Sequence, residues 1–190
     1  MAPLSLVASG LLLVALVAPV GGYDVLADWA GWALVVAALR RLPRASATRQ
    51  RPVLVGLAVT AGLLSALLWF PLLHEALADV DPAIAWALSL PALLVTVLLA
   101  HELAAAAAGA HDPAPRRRWH LVRTVAVLVA VLPVLVYGAG LDQLEPLAFV
   151  LADLLILTVI VMLLVDARRP WAGGTPRDFG RSAARTARDS

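Results

Sequence analysis

The stretch LAFVLADLLILTVIVMLLV, residues 147–165, decides the fold. It holds a single charge, Asp153, and lacks the alternation of a barrel strand. At 1.5 Å per residue, a helix of this length covers the ~30 Å hydrocarbon layer of a bilayer. A backbone in lipid must satisfy its own hydrogen bonds, and within one segment only a helix does so.

Working back from this stretch, five more apolar blocks appear: Leu4–Val20, Val25–Leu39, Val53–Phe70, Ala83–Leu103 and Leu121–Gly138. The fourth carries an Ala-rich extension to Gly109, and the second is the shortest, which leaves an interfacial or re-entrant hairpin open for it. The connections are short and rich in turn formers: Gly21-Gly22, Pro43, Pro71, Pro82, Asp112-Pro113-Ala114-Pro115 and Pro146. The expected fold is all-α, a polytopic transmembrane bundle of about six helices over residues 1–167. The segment 168–190 is Arg-, Gly-, Ala- and Ser-rich and reads as a disordered basic cytoplasmic tail.

Composition supports a lipid environment. Of 190 residues 62% are hydrophobic and 15% charged, against about 45–50% and 25% in soluble domains. Ala and Leu fill 77 positions, too much apolar surface for the interior of one soluble domain. There is no Cys and no Lys. That excludes disulfides, thiol nucleophiles, cysteine-held clusters and Schiff-base chemistry on a lysine.

Charge placement sets the orientation. Arg40, Arg41, Arg44, Arg49 and Arg51 separate the second and third blocks. Arg116, Arg117, Arg118 and Arg123 follow the fourth, and the remaining six Arg follow the sixth. All 15 therefore fall on one side of a six-span chain, which the positive-inside rule places in the cytoplasm together with both termini. The expected location is the inner membrane of a GC-rich bacterium. Leu4–Val20 lacks a basic flank and a clean cleavage site, so it reads as a retained span. The expected partners are the bilayer, anionic lipid headgroups at the Arg-rich face, and a second copy or membrane partner. Nucleic acid is not among them.

The opposite side is acidic: Asp24, Asp28, Glu75, Asp79, Asp81, Asp142 and Glu145 lie in or beside its connections. They read either as a cation- or proton-attracting vestibule or as what remains once Arg is cleared from outer loops. Asp153 lies roughly 10 Å beyond Pro146 along the sixth helix. A carboxylate there costs ~2–3 kcal/mol unless protonated, paired or facing water, so it reads as a functional group or as a hydrogen-bonding tie between helices. Its candidate partners are Tyr137, His74 and Asp28. Asp24 and Asp28 are one helical turn apart and can share a proton or hold a cation. Leu-Ala-Asp recurs at 26–28, 77–79 and 151–153, hinting at related hairpins.

Other motifs are incomplete. His101-Glu102 opens like a zinc-protease helix, but position 105 is Ala105, not His. The inner groups His101, Glu102, His111, Asp112 and His120 match no metal-ligand spacing. There is no phosphate-binding loop, dinucleotide fingerprint or nucleophile elbow. No cofactor and no catalytic residue is expected. Most of the six Trp fall near helix ends, as an interfacial belt requires. Pro91 and Pro133 fall inside helices and should kink them.

The run Asp24-Val25-Leu26-Ala27-Asp28-Trp29-Ala30-Gly31-Trp32, leading into Leu39 and Leu42, resembles the second hydrophobic segment of small uncharacterised bacterial multi-pass membrane proteins. In those proteins an Asp-x-Leu-Pro-Asp-x-x-Gly-aromatic run precedes a helix ending in basic residues. Here Ala27 stands where that pattern favours Pro. The resemblance covers about 20 residues and implies a bacterial integral membrane protein, with Asp24, Asp28 and Gly31 as more than filler. Three functions follow as expectations: a non-enzymatic carrier or complex subunit for a small solute, cation or proton; an intramembrane enzyme on lipid or isoprenoid substrates; and a scaffold or assembly factor.

Overall fold

The computed structural model describes residues 2–16, 19–20, 23–24, 28–42, 50–70 and 82–172. Among the described residues the fold is helical, with six principal helices. These are α1 (Pro3–Ala15), α2 (Asp28–Arg41), α3 (Arg51–Leu68), α4 (Pro82–Gly109), α5 (Pro113–Pro133) and α6 (Glu145–Asp166). A two-residue antiparallel pair, Pro19–Val20 with Tyr23–Asp24, closes the connection between α1 and α2.

Proline marks several of the helix starts. Pro3, Pro52, Pro113 and Pro146 occupy first-turn positions, where a missing N–H costs no hydrogen bond and a fixed φ favours the helix. Pro91 leaves α4 continuous. Pro133 ends regular α-helix, and the chain passes into a π-helical turn, Val134–Gly138. The expected kink thus becomes a change of helix type at Pro133.

The helices pack in a closed ring in chain order: each contacts the next, and α6 returns against α1. Leu4, Val7 and Leu11 of α1, Val35 and Leu39 of α2, Leu99 of α4 and Leu163 of α6 are buried in the interior. The exterior is also apolar, as Leu63, Leu121, Leu128 and Phe149 are each exposed by more than 60%. The stretches Arg51–Leu68, Ala83–Gly109, Pro113–Gly138 and Glu145–Asp166 are long and apolar enough to cross a membrane.

The first hairpin departs from expectation. The α1 helix ends at Ala15, not Val20, because the chain leaves it ahead of Pro19 to pair with Tyr23–Asp24. At 13 and 14 residues, α1 and α2 are each about 20 Å long, short of ~30 Å. They hold together by close approach. A Cβ at Gly10 would lie 2.6 Å from the Gly31 carbonyl oxygen, and a Cβ at Gly31 2.5 Å from that of Gly10. Only paired glycines let the two backbones come this near, as small residues do at membrane helix crossings.

Two further boundaries move. The α5 helix starts at Pro113, eight residues before Leu121, so Arg116, Arg117 and Arg118 lie on the helix. After α6, Pro170–Ala172 form a 3-10 turn packed against α4 with Ala172 buried, so ordered chain continues past residue 167. Trp32 and Trp119 are buried in the bundle, not set in an interfacial belt, while Trp29 and Trp69 are exposed.

Candidate functional site

Among the described residues, Asp28, Tyr137 and Asp153 do not converge on one point. Asp28 opens α2, which packs mainly against α1 and α3, whereas Tyr137 and Asp153 belong to the α5–α6 side of the ring. Asp24 lies in the short antiparallel pair. His74 lies outside the described residues. Asp153 is exposed on the outer surface of α6, beside exposed Val150, Leu154 and Leu157. In the single chain Asp153 therefore points away from the bundle, not toward its candidate partner Tyr137 on the cavity wall. The reason is angular: Ala152 and Leu155 take the inward positions on that turn, and residue 153 is carried outward.

Tyr137 is the candidate that the fold does place in a cavity. About 280 Å3 of space lies among the first half of α4, the end of α5 with its π turn, and the first half of α6. The π turn sets Tyr137 on its wall, and the Tyr137 hydroxyl donates a hydrogen bond to Glu145 Oε1 at 3.2 Å. Glu145 also lines the cavity from the first turn of α6, and none of the ion pairs among the described residues involves it. Trp86 of α4 contributes an indole Nε1–H that is shielded from solvent and has no acceptor among the described residues. Phe149 supplies a third aromatic ring, Leu93, Val129 and Val136 add apolar wall, and Ser89 contributes a hydroxyl that donates to the Trp86 carbonyl at 2.7 Å. Pro133, which also lines the space, has no N–H, so the Val129 carbonyl lacks its ordinary helical donor.

The cavity thus combines one carboxylate, three aromatic rings, one unused donor and apolar walls. A positive group beside the carboxylate would be attracted by its charge and by the ring faces. The Trp86 N–H calls for an acceptor on the same ligand, because a buried polar group without a partner costs free energy. A closed cavity of 150 Å3 suffices for benzene, and this partly open one offers about twice that space.

The opposite end of the bundle carries a polar cluster that the sequence did not reveal. Asp166, at the last turn of α6, is fully buried. Its carboxylate accepts from Trp119 Nε1 at 2.9 Å, Arg169 Nε at 2.9 Å and Arg118 Nη2 at 3.2 Å. Arg169 also pairs with Asp112 in the α4–α5 connection. These bonds tie the C-terminal end of α6 to the start of α5. The one sequence signal was the i, i+3 spacing of Asp166 and Arg169 after an apolar helix. Nearby, Arg123 Nη1 lies 2.9 Å from His101 Nδ1. Among the described residues no group of three or more His, Asp or Glu gathers where a metal ion would be held.

No family model matches the chain, and neither a curated protein nor a solved structure matches it. The four apolar helices, of a length to cross a bilayer, are what characterise it: a helical bundle compatible with a multi-pass membrane protein.

Proposed function

We propose that the protein is a non-enzymatic multi-pass protein of a bacterial inner membrane, with its Arg-bearing end and both termini in the cytoplasm. In this reading it takes a small amphipathic organic cation into the cavity among α4, α5 and α6, as the recognition step in handling that solute. The observation that carries the reading is the Glu145 carboxylate, hydrogen-bonded by Tyr137 in a mainly apolar cavity that Trp86 and Phe149 also line. In a low-dielectric wall, a carboxylate with no ion-pair partner attracts a cation strongly. An intramembrane enzyme would need several reactive groups at one depth, and among the described residues lining the cavity Glu145 is the sole carboxylate.

The test is binding of benzyltrimethylammonium to the purified full-length protein in detergent, measured by calorimetry. Glu145→Gln removes the charge but keeps the shape and should abolish measurable binding. Tyr137→Phe and Trp86→Leu should weaken it several-fold. Equal affinity for wild type and Glu145→Gln would overturn the assignment.

A second reading, a subunit that pairs with another copy, is favoured by Asp153. Val150, Leu154, Leu157, Val161 and Leu164 form an exposed apolar stripe along α6, with Asp153 within it. A lone carboxyl facing lipid at this depth costs ~2–3 kcal/mol, which a facing copy that covers it offsets. Because the chain has no Cys, a single cysteine at Leu157 gives an unambiguous cross-linking test. Disulfide-linked dimers should form there and not from buried Leu155.

A further inference from the structure

A second cavity, of about 210 Å3, runs along the outside of the bundle between α5 and α6. Its walls are apolar: Leu121 and Val125 on α5, and Leu151, Leu155 and Met162 on α6. From Leu151 to Met162 it extends roughly 16 Å along the helix axis. Leu121 and Leu154 on its rim are exposed, so it opens sideways toward the surroundings of the bundle.

Its one charged lining group, Arg118, sits at the Arg-rich end. The Arg118 side chain remains 41% exposed, and its Nε has no acceptor among the described residues. The Nη2 group donates to Asp166, but that carboxylate is shared with Arg169 and Trp119, so it does not neutralise Arg118 alone. Exposed Arg116, Arg117 and Arg168 add positive charge at the same end. A cation at the mouth of an apolar groove that lies parallel to the helices is complementary to an anionic amphiphile.

We propose that this groove binds one anionic phospholipid of the surrounding bilayer, its phosphate on the Arg118 guanidinium and an acyl chain between α5 and α6. Guanidinium presents its N–H groups in a planar fork that matches phosphate oxygens. The sideways opening admits a ligand already dissolved in the bilayer. This site is separate from the Glu145 cavity, and its ligand carries the opposite charge.

Native mass spectrometry of the full-length protein in detergent, titrated with dioleoylphosphatidylglycerol or dioleoylphosphatidylcholine, tests the proposal. The wild type should hold one phosphatidylglycerol about tenfold more tightly than phosphatidylcholine. Arg118→Gln should erase that preference. Thr158→Phe fills the groove without changing any charge, and should weaken phosphatidylglycerol about tenfold. Arg117→Gln, outside the groove, should change it by no more than about twofold. Millimolar inorganic phosphate should not displace the lipid, since it supplies no chain. Unchanged binding in Thr158→Phe would overturn the proposal even if Arg118→Gln proved unstable. So would equal losses from Arg117→Gln and Arg118→Gln, or displacement by phosphate.

Discussion

Replacing Asp166 with Ala should destabilise the bundle by about 2.5–5 kcal/mol. The magnitude follows from its three donors. Trp119 is fully buried, so loss of its bond to Asp166 leaves an indole N–H that water cannot reach. A hydrogen bond to a charged group in such a place is worth about 1.5–3 kcal/mol. The two Arg donors are 41% and 34% exposed, and water takes over part of their role, so each counts for only about 0.5–1 kcal/mol. Asp166→Asn keeps an acceptor for Trp119 while losing the charge, and should cost about 1–2 kcal/mol. Unfolding by SDS in mild detergent, followed by far-ultraviolet circular dichroism, measures these differences. A double-mutant cycle with Trp119→Phe isolates the buried bond and should give a coupling of at least about 1 kcal/mol. A loss under about 1 kcal/mol for Asp166→Ala would refute the reasoning, because it would mean water reaches the carboxylate.

Two further predictions concern the first hairpin and the orientation. Ala at Gly10 or Gly31 forces a Cβ against backbone oxygen and should lower stability by about 2–3 kcal/mol in the same unfolding assay, while Gly56→Ala, with nothing within 4 Å, should leave it unchanged or slightly raised. Reporter fusions after Ser46, Pro113 and Ser190 should read cytoplasmic, and fusions after Gly22, Asp79 and Gln143 outside; a Gly22 fusion reading inside would make α1–α2 a re-entrant hairpin.

The apolar run of residues 147–165 foretold α6 to within two residues at each end, because length and hydropathy alone select a spanning helix in lipid. Helix starts were harder. Arg116–Arg118 looked like loop residues by hydropathy, yet Pro113 is a good first-turn residue and the Arg side chains reach Asp166 and solvent from the helix. Gly31 was singled out by resemblance, and its physical reason emerged only with Gly10 opposite, a pairing between helices that no single segment encodes. Tyr137 was named as a polar candidate, but its partner Glu145 was read only as one loop acid among several. The π turn that directs Tyr137 into the cavity depends on how Pro133 is accommodated, which local propensity does not settle.

The three acids of α6 show how far helical geometry alone could have gone. At 100° per residue, Glu145 and Asp166, 21 residues apart, point within about 60° of each other. Asp153 is rotated about 80° from Glu145 and about 140° from Asp166. One direction can face α5 at both ends of the helix, and the residue between them cannot share it. The structure follows this division: Glu145 meets Tyr137 at one end, Asp166 meets Arg118 and Trp119 at the other, and Asp153 is turned outward. Depth along the helix made Asp153 conspicuous, but azimuth decides what a side chain touches. A charge in mid-helix therefore has two explanations, a site within the bundle or a contact beyond it, and the direction of its two helical neighbours in charge separates them. Here it points beyond the bundle, to a surface that a single copy of the chain leaves uncovered.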